Sequence, residues 1–346
     1  MTTGGQRSVP ARAVGVFLLV CFGSALLLDG LMAATGGLGT PQAKGMLALR
    51  MFTPALASWA VCRFVSHESW LRTSGLTLRS SGSGGRRGWP RILGYATIGT
   101  GAVAAALVLL LALVVGAGWF SPDWALTSFT NHLRGIAPDG PLPPVAVLWI
   151  LTVVANVFAA YTVNGLVALG EETGWRGWLQ SAFEPLGIRK GIVLTGAIWG
   201  LWHAPLIAMG YEYGHRIPAA AGIVLFACLC IGFGTLLSWL RLRSGSVVPA
   251  AIAHGAFNAF ATLPAMLVAS GDSWDPVLVG LIGWPAVALF GMLAVCVLRT
   301  ESWDGHQGQV RTDEETHRES PRDSTASPYR ETHEAGDLAH GNGRRR

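Results

Sequence analysis

Charge is what this chain has least of. Only 13% of its 346 residues are Asp, Glu, Lys or Arg, against 51% hydrophobic, where soluble domains carry about 25% charged residues. That scarcity excludes an ordinary soluble protein and points to a bilayer. Cysteine is rare as well, with five residues in all, and the Cys228-Leu-Cys230 pair fits no common zinc or redox spacing. Cys21, Cys62, Cys228, Cys230 and Cys296 therefore read as small buried hydrophobes. No basic stripe interleaved with aromatics accompanies the net charge of +5, which excludes nucleic acid as a partner. A His-Glu-x-x-His zinc signature is missing, as is any long internal repeat of the kind inverted-repeat transporters carry.

What the chain does have is apolar length. Runs of about 20 residues, enough to span a bilayer, are read at 13–34, 46–65, 92–118, 145–168, 191–210, 219–240, 247–269 and 276–298, eight in all. The first follows Arg7 and Arg12 but lacks a small-residue cleavage site, so it reads as a retained helix rather than a signal peptide. Arg50 makes the second run the least regular.

Basic residues orient the spans, because Lys and Arg collect in cytoplasmic loops. Arg12, Arg63, Arg72, Arg79, Arg86, Arg87, Arg91, Arg189, Lys190, Arg241, Arg243 and Arg299 fall on one side when eight spans alternate; the other side holds Lys44, Arg134 and Arg216. Both termini are expected to be cytoplasmic, in a multi-pass protein of the plasma membrane. Three parts follow: residues 1–143, with three spans, a basic loop at 66–91 and an external loop at 119–143; a core over 144–300; and a polar tail over 301–346, expected to be disordered because it has no apolar periodicity to bury.

Three polar clusters interrupt the core: Glu171-Glu172-Thr-Gly-Trp-Arg176, Trp199-Gly-Leu-Trp-His203 and His254-Gly-Ala-Phe-Asn258. Ionisable groups at membrane depth are expensive and mark function by default. The helix of the first cluster is expected to continue to about Phe183, Pro185 being the first strong stop. Glu171 then lies roughly 18 Å from that end, a depth the other two clusters share. Glu172 and Arg176, four apart, occupy one helix face and are expected to pair as a structural clasp. Glu171 lacks a basic partner at that spacing, so a second helix must satisfy it, or it serves as a general base. Gly170, Gly174 and Gly177 form a small-residue face for close helix contact.

Trp199 is placed to pack beside the His203 imidazole, and His254 with Asn258 offers a donor pair from one face. Each alone has a structural explanation: a hydrogen-bonded core histidine, or an interhelical clamp. Together they supply what peptide-bond hydrolysis needs. Glu171, helped by His203, can take a proton from water, while His254 and Asn258 can hold the oxyanion. Glu171, His203 and His254 could instead bind a divalent metal such as zinc; the sequence leaves that open.

Glu-Glu-x-x-x-Arg, aromatic-x-x-x-His and His-x-x-x-Asn, in this order on a multi-spanning chain, resemble the CPBP (Abi) family of CAAX-prenyl-protease and bacteriocin-processing intramembrane endopeptidases. The likeness covers about 160–262 and places Trp199 where Phe is commoner. It implies an all-α, polytopic membrane protein with a cytosol-facing catalytic cavity and proteolysis within the bilayer. The motif-one glutamate and motif-two histidine would activate water, and the motif-three His and Asn would form the oxyanion site. Family members have been described both as metalloproteases and as glutamic endopeptidases. The expected partners are the lipid bilayer and a membrane protein or peptide substrate. The Arg, Ala and Gly bias suggests a high-GC bacterium, where prenylated CAAX substrates are not expected. Two rival readings use the same cavity: a transporter or channel with a buried ion path, and a non-enzymatic peptide-binding scaffold.

Overall fold

Proline and glycine decide where the apolar runs bend and where they touch. The computed structural model describes residues 8–76, 88–136, 140–269 and 274–301, and the regular secondary structure among them is all helical, with no strand. The principal helices are α1 (Ala11–Ala34), α2 (Pro41–Arg50), α3 (Thr53–Val61), α4 (Gly88–Gly116), α5 (Val145–Tyr161), α6 (Val163–Glu172), α7 (Ile188–Trp202), α8 (Ala219–Ser244), α9 (Val248–Phe260) and α10 (Trp284–Thr300). The tail from residue 302 onward and Arg7, Arg79, Arg86 and Arg87 lie outside the described residues.

Six stretches among the described residues are long and apolar enough to cross a membrane: Ala11–Ala34, Pro41–Ser66, Gly88–Gly116, Val145–Ala182, Ile188–Ala208 and Ala219–Ser244. The protein is thus a polytopic membrane protein. Its outward surface suits lipid: Leu19, Leu27 and Phe158 are 74%, 76% and 69% exposed, an arrangement that would promote aggregation in water. The two remaining runs are shorter than their hydropathy suggests. The seventh, expected over 247–269, is helical only to Phe260, and a separate turn of helix follows at Leu263–Met266, where Pro264 cannot continue the hydrogen-bond ladder. The eighth begins at Trp284 rather than 276, because Pro285 suits a helix start.

The first-cluster run reaches Ala182 but is not straight. Thr162, at φ −122° and ψ −103°, breaks it between α5 and α6, and Thr173–Leu179 then winds as a π-helix. Wide turns of this kind are frequent at functional sites. Depth counted along a straight helix therefore does not apply.

Three glycine contacts assemble the core. A Cβ on Gly174 would sit 2.4 Å from Pro54 Cβ, and one on Gly177 2.3 Å from Ser74 O, so the expected small-residue face lies directly on α3 and the segment after it. A Cβ on Gly255 would lie 2.6 Å from Gly165 N; its absence lets α9 settle against α6. α9 also packs on α4, α5 and α8.

One loop expectation changes. Residues in the first half of the basic loop read at 66–91 are anchored: Ser74 is fully buried, and Val247 N–H donates to Gly75 O at 3.0 Å. The external loop, in turn, carries a short helix at Thr127–Ile136.

Candidate active site

The α6–α9 contact brings the first and third clusters together, and α7 supplies the second. Glu172 ends α6 and is completely buried. Its Oε1 accepts from Arg176 Nη1 at 2.9 Å and from His254 Nδ1 at 2.9 Å, while Oε2 accepts from the same Arg176 nitrogen at 3.1 Å. The expected Glu172–Arg176 pair is thus a three-residue group that includes His254. Because a carboxylate so paired only accepts, the His254 proton sits on Nδ1, and Nε2 has no partner among the described residues. Arg176 keeps two buried nitrogens, Nε and Nη2, without partners among the described residues.

Glu171, 2% exposed, turns to a different set of neighbours. Its Oε2 accepts the indole N–H of Trp199 at 2.6 Å and that of Trp175 at 3.3 Å. Oε1 has no hydrogen bond among the described residues. The second helix that Glu171 needed is α7, and the donor is uncharged.

Trp199 joins the parts. Its carbonyl meets His203 Nδ1 at 3.0 Å; a carbonyl can only accept, so Nδ1 carries the proton, and Nε2 has no partner among the described residues. The indole lies 6.0 Å from the His203 ring and 5.2 Å from the His254 ring, centroid to centroid, and the Arg176 guanidinium sits 4.3 Å over it. His203 is further enclosed by Trp202 and Phe226, each at 4.7 Å. Asn258, one turn beyond His254 on α9, is half-buried and makes no hydrogen bond among the described residues.

The sequence reading missed Trp175 as a donor and saw Trp199 only as packing. The signal for Trp175 was there: it follows Glu171 by four residues, the same spacing that pairs Glu172 with Arg176. As for a metal, no three His, Cys, Asp or Glu among the described residues converge to hold one. Nδ1 of each histidine and Oε2 of Glu171 are engaged within the protein, which leaves Nε2 of each histidine and Oε1 of Glu171 as the atoms that would face a metal.

Comparison with known proteins bears on the same segment. The family model of type II CAAX prenyl endopeptidase Rce1-like proteins matches residues 144–260. Over 101 residues the chain is 34% identical to CAAX prenyl protease 2 of Methanococcus maripaludis, an alignment covering 27% of this chain and 36% of the relative. The chain therefore spans just over a third of the length of the curated relative it matches. Glu171, Glu172, Arg176, Trp199, His203, His254 and Asn258 all lie inside the matched segment, and over that segment the chain is similar to the Rce1-like CAAX prenyl endopeptidases.

Proposed function

We propose that this protein is an intramembrane endopeptidase that hydrolyses peptide bonds of membrane-associated proteins or peptides, with both termini in the cytoplasm and the plasma membrane as its location. The observation that carries the reading is the bridging role of Trp199. One residue presents a carboxylate with a free Oε1 and an imidazole with a free Nε2.

Water held between these groups loses a proton to Glu171 as its oxygen bonds to the scissile carbonyl carbon. The carbonyl electron pair moves onto oxygen, and Asn258 and His254 stabilise the charge that develops. For His254 Nε2 to donate while Nδ1 donates to Glu172, the ring must carry both protons; Glu172 balances that charge. The tetrahedral carbon then expels the leaving nitrogen, which takes the proton held by Glu171. Glu172 and Arg176 hold His254 in place and do not touch the reacting atoms. None of these steps is routed through a metal.

The substrate is assigned by class only: a chain held at the bilayer that can enter a site walled by Trp199, Trp202 and Phe226. The test is a comparison of membrane proteomes from cells making the wild-type protein and Glu171→Ala. A membrane protein uncleaved only in the variant, and cleaved at the same bond by purified wild-type protein in liposomes, is the expected result. Identical proteomes, with no cleavage of membrane-anchored peptides in liposomes, whether prenylated CAAX-ended or unmodified, would overturn the reading.

A further inference from the structure

Outside the family-matched segment, the N-terminal helices carry a second buried charged pair. Asp29 on α1 is 3% exposed and Arg50 at the end of α2 is 1% exposed. Arg50 Nε donates to Asp29 Oδ1 at 2.8 Å. Neither residue was marked by the sequence as part of the site, and an arginine at this depth needs a reason.

Its reason lies across the interface on α7. Arg50 Nη2 donates to Trp202 O at 2.5 Å, and its guanidinium carbon sits 3.7 Å from the Trp202 ring centroid. Trp202 is the last residue of α7 and immediately precedes His203. A helix ends there with carbonyls that lack N–H partners and carry partial negative charge, and Pro205 removes one more donor from the following turn. A guanidinium suits such a site, because its flat fork can bond the carbonyl and lie on the indole at once. The Trp202 indole N–H has no partner among the described residues, so Arg50 holds the residue at both its carbonyl and its ring face.

The held ring reaches both water-activating groups. Trp202 packs edge-on against His203, centroids 4.7 Å apart at 88°, and against Trp175 at 5.9 Å and 73°. Trp175 is one of the two donors to Glu171. We infer that Arg50, oriented by Asp29, is a positioning residue for catalysis: it fixes Trp202, and through it the placement of His203 and Trp175, so that the N-terminal helices form a working part of the active site. This inference rests on the protease reading proposed above.

Arg50→Lys tests it in the full-length protein in liposomes. Lysine keeps a cation beside Asp29 but loses the planar fork, so the variant should insert and elute as wild type. Its kcat per folded molecule should fall about 10²-fold, the size expected of a misplacement near 1 Å, with KM within about twofold. Should the lysine variant not fold, Asp29→Asn, which keeps an acceptor for Arg50 Nε while removing the charge that orients it, should show a kcat fall of about tenfold on the same assay.

A substrate-free readout separates the two claims. The ¹⁵N signals of the His203 ring, assigned by their loss in His203→Ala, should shift in whichever of the two variants folds. Shifted ring signals in a preparation whose wild type cleaves nothing would support the clamp and overturn the protease reading. Wild-type kcat and unshifted ring signals in the folded variant would overturn the clamp.

Discussion

On one side of the site Glu171 receives two indole N–H groups; on the other, its neighbour Glu172 receives an arginine and a histidine. Both carboxylates are buried, at 2% and 0% exposure, and they lie about 100° apart around the helix. The difference between them is charge. Glu172 is paired with the Arg176 guanidinium and also accepts from His254, and breaking such a buried ion pair is severe. Glu171 is held by uncharged donors that orient one oxygen and leave the other without a hydrogen bond among the described residues. Adjacent residues of one type thus acquire separate surroundings from the helices packed against them, α9 for Glu172 and α7 for Glu171.

The comparison can be broken most forcefully on the Glu172 side. Arg176→Ala leaves Glu172 with a buried charge and only His254 to share it, and should lower stability by about 3–5 kcal/mol. Thermal unfolding of detergent-purified protein measures this, and an unchanged midpoint would show that the group is not a clasp.

Asn258→Ala probes the proposed oxyanion site and should slow turnover about 10²–10³-fold, the usual range for one donor. Its folded yield should stay normal, since Asn258 is half-buried and has no hydrogen bond to lose among the described residues. Single-turnover kinetics on an identified substrate provide the check.

A smaller effect is expected on the Glu171 side. Trp199→Phe removes the 2.6 Å donor but keeps a ring near both histidines, and Trp175 still holds Oε2. Turnover should fall about tenfold, equivalent to ~1.4 kcal/mol of transition-state stabilisation. An unchanged rate would mean that the indole N–H does not orient the carboxylate.

Chelation is expected to have no effect on the proposed mechanism. Dialysis against a strong chelator followed by assay and metal analysis measures this. Loss of activity restored by one divalent ion, with stoichiometric metal in the active protein, would replace the mechanism.

The sequence made some of this site legible and concealed the rest for physical reasons. Glu172–Arg176 was readable because a helix turn determines which residues share a face. The glycines at 170, 174 and 177 were readable because only small residues admit a neighbouring backbone. Glu171's need for a second helix followed from its lack of a partner, but which residue on that helix would answer depended on the break at Thr162 and the π-helical turn after Glu172, which no periodicity announces. Arg50 looked like a flaw in an apolar run because its partners, Asp29 and Trp202, come from other helices. Span seven was overestimated for a related reason: hydropathy counts apolar side chains and does not register the backbone interruption before Pro264.

The central claim, that the two glutamates divide base and clasp between them, is tested most directly by Glu171→Gln and Glu172→Gln measured side by side for unfolding midpoint and for turnover per folded molecule. The account predicts a crossed result. Glu171→Gln should unfold like the wild type yet lose turnover by about 10⁴-fold, the upper range for a general base. Glu172→Gln should lose stability by several kcal/mol, of the order found when buried pairs are broken, while the molecules that remain folded retain measurable cleavage. Full turnover in Glu171→Gln, or a wild-type midpoint in Glu172→Gln, would contradict it.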